Sequence, residues 1–295
     1  MEDIMEIKQK ISSDQVNPAI VYTVDSYEEG VSFGRTMVSS PTDWRDELHL
    51  KIEDEQDLLR FRRRFSLDQQ NNFSKLEVEL MNLSRKGLLS RSHIVLGTTT
   101  DPFLPFEQKF DSSMKFLTLF QRYTPGLLTV QTRSPLIVIA MPVLAKLGKR
   151  ASVTMGIETL DEEAVRLYTP GLPRASERLK AARALRNFGV QVTIQVAPVL
   201  PYGDWKKDVA NFAEQLIDSA DFIYVRPLFD GTDGTNHKIR SKHVSKTMAR
   251  DKKYHWLRPD SANPLITTLE VLAPQKLKLP EPAHLQERQV KMFAA

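Results

Sequence analysis

The chain contains no cysteine among its 295 residues. That absence excludes a disulfide framework and any metal centre held by the chain's own thiolates. Long apolar runs are missing as well. The most apolar stretch, residues 135–144, falls far short of the roughly 20 residues a helix needs to cross a bilayer. The charged start, residues 1–10, lacks the apolar centre of a signal peptide. A cytoplasmic protein with no membrane contact is expected. The six histidines, His49, His93, His237, His243, His255 and His284, make no H-x-x-x-H or H-E-x-x-H spacing, so no zinc site is expected. A P-loop and internal repeats are absent too.

What is present is an alternation of strand and helix signals. With 41% hydrophobic and 26% charged residues, the chain can bury a full core. Short β-branched runs predict strands at residues 19–24, 92–97, 127–131, 151–157, 190–197 and 222–225. Between them, helical patterns cover 53–65, 105–122, 135–147, 175–187 and 205–219. Leu179, Ala182, Leu185 and Phe188 recur at three-residue steps, Gly189 supplies a helix stop, and Ser134 before Pro135 reads as a helix entry. Strands separated by helices call for a parallel sheet, either a barrel or a doubly wound sheet. A turn-rich stretch at 230–236 and later prolines set off residues 231–295 as an extension ending in a short amphipathic helix at 283–293.

The motifs occur in a particular order. Gly30-Val31-Ser32-Phe33-Gly34-Arg35-Thr36-Met37-Val38 comes first, then Gly97-Thr98-Thr99-Thr100-Asp101-Pro102-Phe103, Thr132-Arg133-Ser134 and Gly156-Ile157-Glu158-Thr159-Leu160-Asp161-Glu162-Glu163. Pro170-Gly171-Leu172-Pro173 and Ala197-Pro198-Val199-Leu200-Pro201 follow. Together these segments resemble, over roughly residues 20 to 230, the radical S-adenosylmethionine superfamily in its spore-photoproduct-lyase-like branch. The resemblance implies an open (βα)6 barrel of the TIM type at residues 19–230, an N-terminal arm at 1–18 and a C-terminal extension, 231–295, wrapping the barrel. It also implies a C-x3-C-x2-C loop for a [4Fe-4S] cluster, whose three positions are here Val31, Arg35 and Val38. Valine has no lone pair and a guanidinium no acceptor, so a [4Fe-4S] cluster is not expected.

In a parallel barrel the functional face lies at the strand C-terminal ends. There the resemblance places Thr99 and Asp101 at the amino end of S-adenosylmethionine, Thr132 and Arg133 at its carboxylate, and Glu158 near its ribose. Arg178 is either a further carboxylate partner or a surface ion-pair residue. Where the family has a serine, this chain has Gly156. Asp101 also reads, more plainly, as a helix cap after a strand exit. Gly30-Val31-Ser32-Phe33-Gly34 matches G-x-S-x-G, but the polar stretch before it separates Ser32 from a strand, against a nucleophile elbow.

Positive charge is clustered. Arg60, Arg62, Arg63 and Arg64 flank two phenylalanines, and residues 238–253 carry Lys238, Arg240, Lys242 and Lys246 among their basic groups. Such runs fit phosphate backbones, whereas the plainer reading is a solvated helix face, and the net charge is only +4. The expectation is a degenerate, non-catalytic protein that binds a nucleotide-like ligand, a nucleic acid or an active paralogue. S-adenosylmethionine is a candidate ligand. The alternative is an enzyme acting on nucleic acid with a cluster supplied by a partner.

Overall fold

A computed structural model defines residues 20–27, 30–36, 69–97, 101–103, 110–230, 238–239 and 241–278. The main sheet is built on β1 (Ile20–Tyr27), β2 (Gly30–Thr36), β3 (Ser92–Leu96), β4 (Leu127–Thr132), β5 (Ala151–Gly156), β6 (Gln191–Val196) and β7 (Phe222–Val225). Among the described residues, β8 (Phe229–Asp230) and β9 (Lys238–Ile239) form a separate ribbon, and β10 (Leu277–Lys278) adds to β7. The helices are α1 (Gln69–Arg85), α2 (Phe110–Arg122), α3 (Met141–Leu147), α4 (Glu162–Tyr168), α5 (Ala175–Asn187), α6 (Val209–Ser219), α7 (Lys242–Arg250) and α8 (Asn263–Leu272).

Strand order decides between the two sheet types. β1, β3, β4, β5, β6 and β7 lie side by side in sequence order and pair in parallel throughout. A doubly wound sheet reverses its order at a switch point. This one never does, so the crossovers all turn the same way. The two edges, β2 and β10, do not pair with each other, which leaves the barrel open.

The six expected strands are all present. The helices expected at 175–187 and 135–147 are also found, the latter as a 3-10 turn, Pro135–Ala140, running into α3. Ser134 accepts from Leu136 N at 3.3 Å, as a helix entry should. The helices expected from 105 and 205 are described from Phe110 and Val209 onward. The one expected at 53–65, the N-terminal arm and the terminal helix at 283–293 lie outside the described residues.

Two expectations need correcting. Phe188 does not share the buried face of α5; it is 51% exposed, whereas Leu179, Ala182 and Leu185 are buried. Residues turn by about 100° each, so nine positions carry Phe188 roughly half a revolution from Leu179. Residues 30–36, read as a loop, form strand β2, paired antiparallel to β1 with Val31 opposite Ser26 and Arg35 opposite Tyr22. Pairing with β1 overrides the turn preference of Gly30 and Gly34. In the C-terminal extension, α8 packs on α6 and β10 lengthens the sheet at β7.

The faces of the sheet differ in chemistry. Ile94, Leu96, Leu128, Val130, Val153, Met155, Val192, Ile194 and Ile223 join helix residues such as Phe120, Leu144, Leu185 and Leu216 in one hydrophobic core. The alternate positions carry His93, Thr129, Gln131, Ser152, Thr154, Thr193 and Gln195, all buried. Period-two alternation thus puts oil under the helices and a buried polar surface on the other side.

Candidate functional site

At the C-terminal ends of β3, β4 and β5, five of the residues singled out from the sequence converge. Asp101, just beyond β3, accepts from Thr132 Oγ1 at 2.6 Å and Phe103 N at 2.9 Å through Oδ1, and from Arg133 N at 2.6 Å through Oδ2. It therefore ties the exit of β3 to that of β4. Burial pushes its pKa up, against those three donors and the nearby Arg133 guanidinium. Gly97 makes this crossing possible: its φ is +90°, and a Cβ there would lie 2.6 Å from the Gln131 carbonyl oxygen.

Glu158, two residues past β5, is 1% exposed and sits between two arginines. Arg133 Nε donates to Oε1 at 2.6 Å, and Arg178 Nη1 donates to Oε2 at 2.7 Å and to the Gly156 carbonyl oxygen at 2.7 Å. Burial alone would raise the Glu158 pKa; the two guanidiniums outweigh it and hold the carboxyl at about 2. Arg178 projects from the buried face of α5 with no exposed side-chain surface and pairs with Glu158, so it is not a surface ion-pair residue. Its Nε and Nη2 are buried without a hydrogen-bond partner.

Gly156 belongs to this arrangement. A Cβ at that position would lie 2.8 Å from Arg133 Cγ and 3.0 Å from its Nε. The family's serine and this chain's Arg133 conformation compete for one space.

The run after β5 is a knot of hydrogen bonds. Thr159 Oγ1 donates to the Pro201 carbonyl at 2.6 Å and accepts from Asp161 N at 3.0 Å. Asp161 caps α4, and Glu162 accepts from Ala175 N and Ser176 N at the start of α5. The Ala197–Leu200 segment closes the top: Val199 N bonds the Arg226 carbonyl and Leu200 N the Glu158 carbonyl.

Other expected site residues do not join the cluster or lie elsewhere. Thr99, Val38, Arg60, Arg62, Arg63, Arg64 and Arg240 fall outside the described residues. Lys238 is in β9, and Lys242 and Lys246 are in α7, where Lys246 is exposed. Among the described residues no group of three or more His, Asp or Glu side chains is placed to hold a metal.

Sequence reasoning passed over the polar face beneath this network. His93 Nε2 bonds Thr129 Oγ1 at 2.8 Å, and Thr129 Oγ1 bonds Ser152 Oγ at 2.9 Å, a chain across β3, β4 and β5. Gln131, one row higher, and Gln195, two rows higher, are 0% and 2% exposed, and among the described residues neither amide has a hydrogen-bond partner. The signal was available: polar residues at every second position of T-V-Q, S-V-T and Q-V-T-I-Q, in strands that a barrel buries on both sides.

No protein-family model matches the chain. An uncharacterized protein of Acidianus two-tailed virus is 27% identical over 138 residues, 46% of this chain and 44% of the viral protein. An uncharacterized protein of Mycobacterium tuberculosis is 29% identical over 114 residues, 38% of this chain and 33% of its own length. The chain thus spans less than half the length of these curated relatives. Among solved structures, spore photoproduct lyase with bound AdoMet and dinucleoside spore photoproduct superposes with a TM-score of 0.49 at 12% identity, over 70% of this chain and 66% of the lyase. SuiB of Streptococcus suis bound to S-adenosylmethionine gives 0.44 at 16% identity, over 72% of this chain and 44% of SuiB.

Proposed function

We propose that this chain is a cluster-free, non-catalytic member of the radical S-adenosylmethionine type that acts by binding. The donor set carries the reading. No cysteine exists, and the positions that correspond to the family's thiolates are Val31 and Arg35, which sit in β2, and Val38. These side chains offer iron no donor atom, so the residues present do not fit a [4Fe-4S] cluster. The carboxylates that the resemblance assigns to the cofactor are satisfied within the protein: Asp101 by Thr132, Phe103 and Arg133, and Glu158 by Arg133 and Arg178. S-adenosylmethionine would have to displace these bonds, which supports weak binding of it at most.

Anaerobic reconstitution with iron and sulfide tests the proposal. Desalted protein is expected to retain no stoichiometric iron and to show no cluster absorption. A retained, cluster-like chromophore would overturn it. The rival, an enzyme acting on nucleic acid with a cluster supplied by a partner, requires that the two chains mixed with nucleic acid, S-adenosylmethionine and a reductant release more 5′-deoxyadenosine than the partner does alone.

Nucleic acid is the macromolecular partner we propose. Lys206, Lys207, Lys252 and Lys253 are exposed near Trp205 and His255, whose rings stack with centroids 4.6 Å apart. Clustered cations of this kind require binding that weakens steeply with salt. A mobility shift unaffected by salt would count against it.

A further inference from the structure

Strands β3, β4, β5, β6, β7 and β10 lie side by side and parallel, so the short connections that lead into them share one end of the barrel, opposite the site at Asp101 and Glu158. With neighbouring strands about 4.8 Å apart, this row of connections runs for about 24 Å. Its two halves differ in chemistry. Before β3 stand Arg85, Lys86 and Arg91, before β4 Arg122, and before β5 Lys149 and Arg150, all of them exposed. Residues 85–91, 122–126 and 148–150 contain no acid. Before β6 comes Phe188, 51% exposed, and α8 ends before β10 on Val271 and Leu272, 78% and 48% exposed.

Helix ends account for part of the charge. Arg85 and Arg122 sit in the last turns of α1 and α2, where a cation complements the carbonyl end of a helix. Yet α6 and α8 finish at the same end with no basic residue in their last turns. Helix α6 is served instead by Lys276, whose ammonium donates to the Ile217 and Ala220 carbonyls at 2.6 and 2.9 Å. Among the described residues, Arg122 alone of the six exposed cations has an ion-pair partner, Glu77 at 2.6 Å. The acids of this end, Asp218, Asp221 and Glu270, lie on the apolar half, and Asp221 is taken by Arg186 at 3.0 Å.

Clustered like charges repel one another, and exposed apolar side chains lose free energy to water. A polyanion alone would answer the cations and leave Phe188, Val271 and Leu272 wet. The core of a protein interface would cover the apolar groups but is poor in charge. An anionic bilayer surface answers both, with headgroups against the cations and the acyl boundary beneath the apolar side chains. Exposed Asp218 and Glu270 keep the apolar half at headgroup depth.

We propose that this end of the barrel is a docking surface for an anionic lipid bilayer. The expectation of no membrane contact came from the lack of a spanning run, and no described helix is long and apolar enough to cross a membrane. Lying on a bilayer takes only cations and a few apolar side chains on one face. The patch at Trp205 and His255 belongs to the other end, since residues 197–208 follow β6 and lead into α6, so the two surfaces do not compete.

The test is cosedimentation of the full chain with phosphatidylcholine vesicles made with or without phosphatidylserine. Binding is expected only with phosphatidylserine, and it should weaken as salt rises. Lys86→Gln, Lys149→Gln and Arg150→Gln together are expected to weaken it on the order of a hundredfold, about fivefold per charge. The same loss of charge on the α4 and α5 flank, by Arg166→Gln, Arg174→Gln and Lys180→Gln, should change it less than about threefold. Phe188→Ser with Val271→Ser should weaken it roughly tenfold and leave the melting temperature unchanged, because both side chains are exposed. No binding to phosphatidylserine vesicles at low salt overturns the proposal, and this arm needs no variant. Equal losses from the two charge triplets overturn it too, since net charge and not this face would then be at work. So does duplex DNA binding that needs Lys86, Lys149 and Arg150, combined with vesicle binding indifferent to Phe188→Ser and Val271→Ser, because the face would then serve nucleic acid.

Discussion

The rim of the barrel and the floor beneath it are both buried and polar, but they keep their hydrogen bonds differently. At the rim, the carboxylates of Asp101 and Glu158 meet donors supplied by Thr132, Phe103, Arg133 and Arg178. On the floor, the amides of Gln131 and Gln195 meet none. A buried network that closes on itself holds a fold in one arrangement, whereas buried groups left open cost stability and persist where something else uses them. The carboxylates that a motif comparison would assign to ligand binding are in this chain bonded to neighbouring residues. Gln131 and Gln195, to which no motif pointed, are left open, as are Nε and Nη2 of Arg178.

Cutting the rim should therefore hurt far more than altering the floor. Glu158→Ala leaves Arg133 and Arg178 facing one another with no counter-charge, and should cost about 3–5 kcal/mol in denaturant unfolding. Equal effects for Glu158→Ala and Gln131→Met would erase the contrast. Acid sharpens it. The Glu158 carboxyl is held at about 2 against an ordinary value of 4.5, a depressed folded-state pKa. Its stabilisation is thus complete above about pH 4.5 and lost as pH falls toward 2. Asp101 is raised by burial and has the opposite sign, its contribution weakening as pH rises through its folded-state pKa. Wild type should lose stability on acidification more steeply than Glu158→Gln, which has no carboxyl to protonate at that position.

A smaller effect probes how tightly the rim is packed. Gly156→Ser introduces the side chain found in the family that the motifs resemble, but its Cβ would lie 2.8 Å from Arg133 Cγ, a mid-chain atom that cannot move without disturbing the Glu158 pair. Overpacking of this kind costs about 1–3 kcal/mol. With Arg133→Ala already present the obstacle is gone, and the serine should cost at most about 0.5 kcal/mol more. Additive losses in the double variant would mean that Gly156 is required for some other reason.

The fold was legible because strand runs such as residues 151–157 and 190–197 are long, β-branched and separated by helix-length stretches. The strand order came only through the resemblance, because nothing local in β5 says whether β4 or a more distant strand lies beside it. Residues 30–36 were misread as a loop, since two glycines speak for a turn and the pairing with β1 is invisible to a local reading. At the site, the motifs named Asp101, Thr132, Arg133, Glu158 and Arg178, which the structure places side by side. It did not say that they would bind one another, because that depends on side-chain reach across strand ends. Phe188 was misassigned for a simpler reason, a three-residue step treated as a stripe although it drifts around the helix.

The smallest effect concerns how Arg178 is delivered to the rim. Helix α5 starts at Ala175 after Arg174, whose side chain makes no capping bond. The first amides are instead met by Glu162 of α4, Oε2 accepting from Ala175 N at 3.1 Å and Oε1 from Ser176 N at 2.9 Å. Burial pulls the Glu162 pKa up, but the bonds from Ser176 and Ala175 together with the Arg178 charge outweigh it and lower the pKa, so the group is charged where the helix dipole favours a negative charge. Glu162→Ala should cost about 1 kcal/mol, the usual loss for a cap, and Glu162→Gln less because one acceptor oxygen survives. Arg178 follows one turn later, so fraying should speed hydrogen exchange at Ala175 and Ser176 while Arg178 stays on Glu158. If Glu162→Ala instead matched Glu158→Ala in cost, the rim would depend on its helix as much as on its charge, and the division between closed network and open floor would need to be redrawn to include α4.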